Sequence, residues 1–498
     1  MTTMFAALLL PLVPMPQDPG QAASAATNGL AVNLYRQLAA REEGNLFLSP
    51  WSISTALAMA AEGARGETAA EMRRTLHFGD GPLATVHASF AALQQRLIAG
   101  AGSVPKATRD RIAALREQLA KQNSAVAAAE QRSDWDQTRT ASRDARQTAA
   151  ELNQLLATVD CYDLRAANSL WGDRGAALLP DFLGTLDRHY GTGGANLVDF
   201  RGDCEGARRQ INGWVADRTE QRILDLIPAG GVSALTRLVL TNAVYFRGEW
   251  QQPFEKHNTA DADFQRSNGE KVVVRLMRDP WRDDVPYAAF TSTGDYFDTP
   301  QTVPADGSVL AATYPDGGGF QAIELPYKGG DLAMVLLLPR SHDGLAKLEQ
   351  LLTADQLTKW LGKLNSRDVD TALPRFQQRS QFDLGASLQA LGMARAFVDP
   401  ITGAGAQFEG INGAEDLSQK LFVGAVFHQA FVEVTEKGTE AAAATAVMMA
   451  PTAAAMPRKV EMVAFRPVFR ADRPFLFLIR DTKSGAILFL GRVLAPKA

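Results

Sequence analysis

Residues 430–450 read AFVEVTEKGTEAAAATAVMMA. Val432 and Val434 flank Glu433 in the alternation of a half-buried strand, and Gly438 can take backbone dihedrals closed to other residues. From Ala441 to Ala446 almost nothing bulky or polar occurs. Read with a period of two, Thr439, Ala441, Ala443, Thr445, Val447 and Met449 share one face, which suits burial in a sheet, while Glu440 begins the other. A short surface helix capped by Thr439 is the alternative, and composition alone favours it because alanine is the best helix former.

The wider sequence supplies the context for that choice. Glu436-Lys437-Gly438-Thr439-Glu440-Ala441-Ala442 resembles the hinge of the reactive loop in serpins, the serine protease inhibitor family. Asn45-Leu46-Phe47-Leu48-Ser49-Pro50-Trp51-Ser52-Ile53-Ser54, followed by an apolar helix and Gly63-Ala64-Arg65-Gly66-Glu67-Thr68, is similar to the family's second helix. Leu240-Thr241-Asn242-Ala243-Val244-Tyr245-Phe246-Arg247-Gly248-Glu249-Trp250, with Pro253-Phe254, resembles a central strand and the turn after it. Phe469-Arg470-Ala471-Asp472-Arg473-Pro474-Phe475-Leu476-Phe477-Leu478-Ile479 resembles the motif that follows the reactive loop. These matches stand in family order over most of residues 27–496. The resemblance implies a single α+β domain over 27–498 with the serpin fold. That fold has three β-sheets, about eight to nine helices and an exposed reactive loop, here at 436–465.

The activity implied by the resemblance is suicide inhibition of a serine protease, and the scheme is the family's own. The protease attacks the loop and forms an acyl-enzyme; the freed hinge side then inserts as a new central strand, dragging the protease into a distorted state that cannot deacylate. The hinge residues Glu436, Gly438, Thr439, Glu440, Ala441, Ala442, Ala443, Ala444 and Thr445 suit that scheme. An unpaired charge at an inward position would cost on the order of several kcal/mol. Thr439, Ala441, Ala443 and Thr445 carry none. The fifteen residues from Gly438 to Thr452 reach about 50 Å at ~3.3 Å each, enough for one strand of a large sheet.

By family spacing the scissile bond falls at Thr452-Ala453, just after Pro451. A small residue at the cut suits elastase-like or subtilisin-like proteases, whose pockets it does not leave unfilled. Arg458 offers a competing trypsin-like site, and the stretch from Thr452 to Pro474 is longer than the family usually shows, which leaves the choice of bond open. Cleavage after Arg458 would add slack to the inserting arm and favour substrate behaviour. The alternative function is a serpin-fold carrier or chaperone without inhibitory activity, since fold alone does not choose.

By the same resemblance, Ser49, Ser52, Asn242 and His428 lie beneath the central strands where the sheet opens, as a polar network holding strands that later part. Trp250 stands where the loop first enters. Taken alone, His428 reads as a satisfied structural histidine and Trp250 as core.

Hydrophobic residues make up 46% of the chain and the formal net charge is −4, with no basic excess for nucleic acid. No Gly-x-Ser-x-Gly elbow, phosphate-binding glycine loop or pair of histidines at metal spacing occurs, so an enzyme is not expected, nor a cofactor or metal. The expected partner is a serine protease, with the chain monomeric and loop-sheet polymers its failure mode. Residues 4–15, MFAALLLPLVPM, are far shorter than the ~20 residues of a bilayer span. A signal peptide over 1–25, cut after Ala23-Ser24-Ala25, would make the protein secreted or periplasmic, although no Lys or Arg precedes the apolar run. Cys161 and Cys204 are expected to be two thiols at opposite ends of neighbouring strands.

Helices are predicted over 31–42, 51–62 and 205–219, and strands over Leu238–Phe246, Gln321–Leu325, Leu332–Leu338 and either side of Asp481-Thr482-Lys483-Ser484-Gly485. Residues 101–157 read as an added helical hairpin, with Ile112, Leu115 and Leu119, then Leu152, Leu155 and Leu156, as narrow apolar stripes. Its mixed charge between Lys106 and Lys121 reads as a solvated face rather than a polyanion site. Residues 279–312, rich in Asp, Pro and Gly, read as an enlarged loop.

Overall fold

The computed structural model describes residues 19–497, apart from stretches within 101–134 and residues 158–161, 192–194, 220, 305–317 and 440–461. Helix α1 (Gln21–Ala39) lies against α2 (Pro50–Gly63). Helix α2 starts where the sequence puts a cap beside a proline. The Ser49 hydroxyl accepts from the Ser52 N–H at 3.4 Å, and Pro50 fills the first turn, where its missing N–H costs nothing. Every residue from Pro50 to Ala61 is buried, so α2 is enclosed on all sides rather than amphipathic.

Over α2 lies a six-stranded sheet. Its order is β12 (Phe376–Asp383), β13 (Val423–Val434), β4 (Leu238–Glu249), β2 (Tyr162–Asp173) and β3 (Asn196–Val198), with the short β14 (Gly438–Thr439) on β4. β4 and β13 run parallel from Leu238↔Val423 to Tyr245↔Phe431, flanked by antiparallel β2 and β12. The sequence LVLTNAVYFRGE shows little alternation because both faces of β4 are covered. Leu238, Leu240, Val244 and Phe246 enter the main core with α2. Val239 and Ala243 join a second cluster with Ile211 and Val215 of helix α4 (Cys204–Arg218), which crosses the other face.

A second sheet has ten strands. Its path is β1 (Leu46–Leu48), β18 (Ile487–Val493), β17 (Phe475–Asp481), β10 (Leu332–Pro339), β9 (Phe320–Pro326), β6 (Lys271–Phe290), β11 (Asn365–Pro374) and β16 (Val468–Arg470). β5 (Ala260–Gln265) and β7 (Tyr296–Phe297) also pair with β6. The third sheet is β8 (Thr302–Pro304) with β15 (Met462–Ala464). Among the described residues, no helix is long and apolar enough to cross a membrane, and no group of three or more metal-ligating side chains occurs.

Two expectations change. The loop expected over 279–312 begins later, because β6 continues unbroken through Asp279-Pro280-Trp281-Arg282-Asp283-Asp284 to Phe290. Register shifts against β11 absorb the charged stretch as bulges. They turn Arg282 into the protein over the Phe254 ring at 4.2 Å and leave Asp283 and Asp284 exposed. The last part of the expected reactive loop, Met462–Ala464, is a paired strand.

In the 101–157 insertion, α3 covers Trp135–Ala157, and the described residues between 107 and 125 are helical. Arg111 pairs with Glu151, and Gln118 Nε2 donates to Thr148 Oγ1 at 3.3 Å, so the two segments run antiparallel. The cut expected after Ala25 falls inside α1, where Ala23 and Ser24 are buried and the Ala23 N–H donates to Ser89 Oγ at 2.9 Å. Cys204 is a free thiol, and Cys161 lies outside the described residues.

Candidate functional site

Parallel β4 and β13 form a seam, and the side chains beneath it form one hydrogen-bonded chain. The Ser49 N–H donates to His428 Nε2 at 3.1 Å, which puts the imidazole proton on Nδ1, where it is donated to Asn242 Oδ1. Asn242 Nδ2 donates to Ser52 Oγ and, at 2.6 Å, to Asn168 Oδ1; Ser52 Oγ donates to the same Asn168 oxygen at 2.7 Å. Ser49 Oγ closes the other end on the Leu488 carbonyl at 2.7 Å. Ser49, Ser52, Asn242 and His428 thus come together, each with its side chain buried. They join α2 to β4, β13 and β18.

Burial pushes the His428 imidazole down to about 3. Its hydrogen-bond partners among the described residues are neutral, and the Phe382 ring stacks on it at 6.5 Å. The network therefore holds the seam without charge. Asn168, on β2, belongs to it but was not singled out from sequence. The available signal was a lone carboxamide in the middle of a strand that is otherwise apolar on its inward face.

On the opposite face the seam is closed by the Tyr245 and Phe431 rings, 6.2 Å apart and 12° from parallel. Arg222 lies over the first ring and Arg379 over the second.

Above Tyr245↔Phe431 the two strands no longer pair. β13 ends at Val434, and Thr435 to Gly438 make a tight turn in which Thr435 N–H and Oγ1 both donate to the Gly438 carbonyl, at 2.7 and 2.9 Å. β14 then pairs antiparallel with β4, Gly438 opposite Glu249 and Thr439 opposite Gly248. Glycine is required at 438. Its φ is +141°, and a Cβ there would stand 2.1 Å from the Gly248 carbonyl oxygen and 2.5 Å from Glu249 Cα.

The turn is pinned on every side. Trp250, fully buried and stacked 4.7 Å from Tyr327, donates from Nε1 to the Thr435 carbonyl at 3.0 Å, and its N–H donates to Lys437 O at 2.8 Å. The Glu436 carboxylate accepts from Thr259 Oγ1 at 2.9 Å and lies 3.8 Å from the Arg375 guanidinium. Its carbonyl accepts from the Phe254 N–H at 2.7 Å. Of the hinge residues, Glu436, Gly438 and Thr439 are therefore placed at the head of the seam. Glu440, Ala441, Ala442, Ala443, Ala444 and Thr445, and the bonds after Thr452 and Arg458, lie outside the described residues, with Ala453.

Among the described residues, β4 and β13 part above Tyr245 and Phe431, and β14 takes up two residues of β4 beyond that point. A strand entering there would be antiparallel to both neighbours and would replace a parallel pairing, the weaker kind per residue.

The serpin family model, described as serine protease inhibitor, matches residues 25–116 and 112–496. The chain is 34% identical to the leukocyte elastase inhibitor of Sus scrofa and 32% identical to serpin B3 of Homo sapiens. Each alignment covers 95% of this chain and 99% of the relative. Among solved structures it is similar to Serpin48, described as a highly specific serpin of the insect Tenebrio molitor. That similarity has a TM-score of 0.65 and 25% identity, covering 96% of this chain and 99% of the other. The chain belongs to the serpin family, and its fold is the serpin fold.

Proposed function

We propose that this serpin is a suicide-substrate inhibitor of serine proteases with small-residue specificity, elastase-like or subtilisin-like. It traps the acyl-enzyme by inserting its cleaved loop between β4 and β13. The observation that carries this reading is the β14 register. Continued downward from Gly438↔Glu249 and Thr439↔Gly248, it would set Glu440 opposite Arg247, Thr445 opposite Asn242 and Met449 opposite Leu238, the first residue of β4.

Cross-strand partners point to the same face. Thr439, Ala441, Ala443, Thr445, Val447 and Met449 would therefore share the inward face of Leu240, Asn242, Val244 and Phe246, the face of small and apolar residues read from the sequence. Glu440, the one charge, would face outward beside exposed Arg247. Insertion in this register covers the rest of β4 from Arg247 down, leaves no buried charge unpaired and brings Thr445 beside the Asn242–His428 network.

The name of the porcine relative supports an elastase-like target. The apolar N-terminus supports a target met outside the cytoplasm.

The test is incubation of the purified chain with pancreatic-type elastase, subtilisin and trypsin, followed by denaturing electrophoresis and sequencing of the released fragment. A band at the summed mass, with a fragment beginning at Ala453, is expected. Clean cleavage with fully active protease in every case would favour a non-inhibitory carrier or chaperone instead.

A further inference from the structure

Two of the three places where the sequence runs longer than the family pattern meet in space. β8, from the 279–312 stretch, pairs antiparallel with β15, from the long segment after Thr452, as Met462↔Pro304, Val463↔Val303 and Ala464↔Thr302. The pairing extends through the Phe465 N–H, which donates to Gln301 O at 2.9 Å while its ring is buried. Arg367 on β11 holds the segment that leads into β8: its guanidinium donates to Gln301 Oε1 at 2.8 Å, Thr299 O at 3.2 Å and Pro300 O at 3.4 Å. Past Phe465 the chain stays held. Arg466 donates to Pro280 O at 3.0 Å and lies 4.4 Å over the Trp281 ring. The Asp370 N–H donates to Pro467 O at 2.9 Å, and β16 then runs parallel to β11.

We infer that β8 is a clamp on the C-terminal arm of the reactive loop and that it decides which peptide bond a protease can reach. The inference rests on the reading of 436–465 as that loop. A protease takes its substrate as an extended strand, with main-chain hydrogen bonds on both sides of the bond it cuts. From Met462 onward the main chain is already committed to β8. Only Lys459, Val460 and Glu461 separate Arg458 from that strand. A trypsin-like protease must therefore strip β15 from β8 before Arg458 can sit in its pocket. The bond after Thr452 is followed by nine residues, Ala453 through Glu461, before β15 begins. β8 and Arg367 thus discriminate against the basic site and favour the small one.

The test follows trypsin digestion of the full chain by mass spectrometry, reading together the fragments that begin at Lys459 and at Val460, in wild type, Val303→Pro and Arg367→Ala. Cleavage after Arg458 is expected to be about tenfold faster in Val303→Pro. Proteolysis tracks the population of the opened pair, and losing one or two ladder hydrogen bonds shifts that population by about such a factor. Arg367→Ala should give an intermediate gain, and the elastase cut after Thr452 should keep its rate in both variants. Wild type cut after Arg458 as fast as the variants would overturn the clamp. Arg367→Ala leaves the β8 sequence untouched, so it decides the matter alone if Val303→Pro does not fold by circular dichroism. The position of the trypsin cut reads the clamp whether or not a covalent complex forms, so its failure is separable from failure of the inhibitor reading.

Discussion

At the residue scale, Gly438, Thr439 and His428 carry most of the account. Gly438→Ala forces a Cβ against the Gly248 carbonyl at a φ of +141°, and is expected to cost on the order of 1–3 kcal/mol. A lowered denaturation midpoint would show it. Thr439→Arg should leave the fold intact while placing a charge at what would be the first inward position of the proposed inserted strand. It should convert the inhibitor into a substrate, seen as loss of the covalent band with cleavage retained; unchanged inhibition would remove the hinge assignment. His428 makes stability depend on pH. Its folded value of about 3 lies below the ~6.5 of an unfolded histidine, so the contribution is fully present above pH 6.5 and is lost as pH falls. Between pH 7 and 5 the loss from this group is about 2 kcal/mol. Denaturation midpoints at the two pH values should therefore converge in His428→Gln relative to wild type.

At the element scale, the seam between β4 and β13 is a parallel pairing, the weaker kind per residue, held by the neutral network on one face and by the Tyr245–Phe431 stack on the other. Aromatic pairs of this kind are worth about 0.5–1.5 kcal/mol beyond their area. Tyr245→Ala should therefore speed heat-induced polymerisation several-fold by size-exclusion chromatography, and adding Phe431→Ala should change little more. Here the limits of the sequence are also visible. β4 was legible because Leu238–Phe246 is short, mostly apolar and rich in β-branched and aromatic residues, the pattern of a strand covered on both faces, and α2 because Ser49 and Pro50 mark its start. The middle of β6 was not legible: Asp279-Pro280 and Asp283-Asp284 carry loop signals, and only the bulges against β11 make them a strand. Asn168 was missed for a related reason. A carboxamide on β2 acquires meaning only when α2 and β4 bring Ser52 and Asn242 to it. The pairing of β8 with β15 joins segments far apart in sequence and leaves no local pattern to read.

At the scale of the whole molecule, the proposed insertion of the loop between β4 and β13 would make the intact chain metastable. One consequence is that loop cleavage should stabilise the protein, with the thermal midpoint of the cut chain well above that of the intact one. Another is that the same place between β4 and β13 would admit the loop of a second copy, so gentle heating should give polymers. The measurement closest to the central claim is the structure of the chain cleaved after Thr452. A new strand is expected between β4 and β13, antiparallel to both, with Thr445 opposite Asn242 and Glu440 beside Arg247. A cleaved protein in which Tyr245 still pairs with Phe431 and the freed arm lies outside the sheet would contradict it.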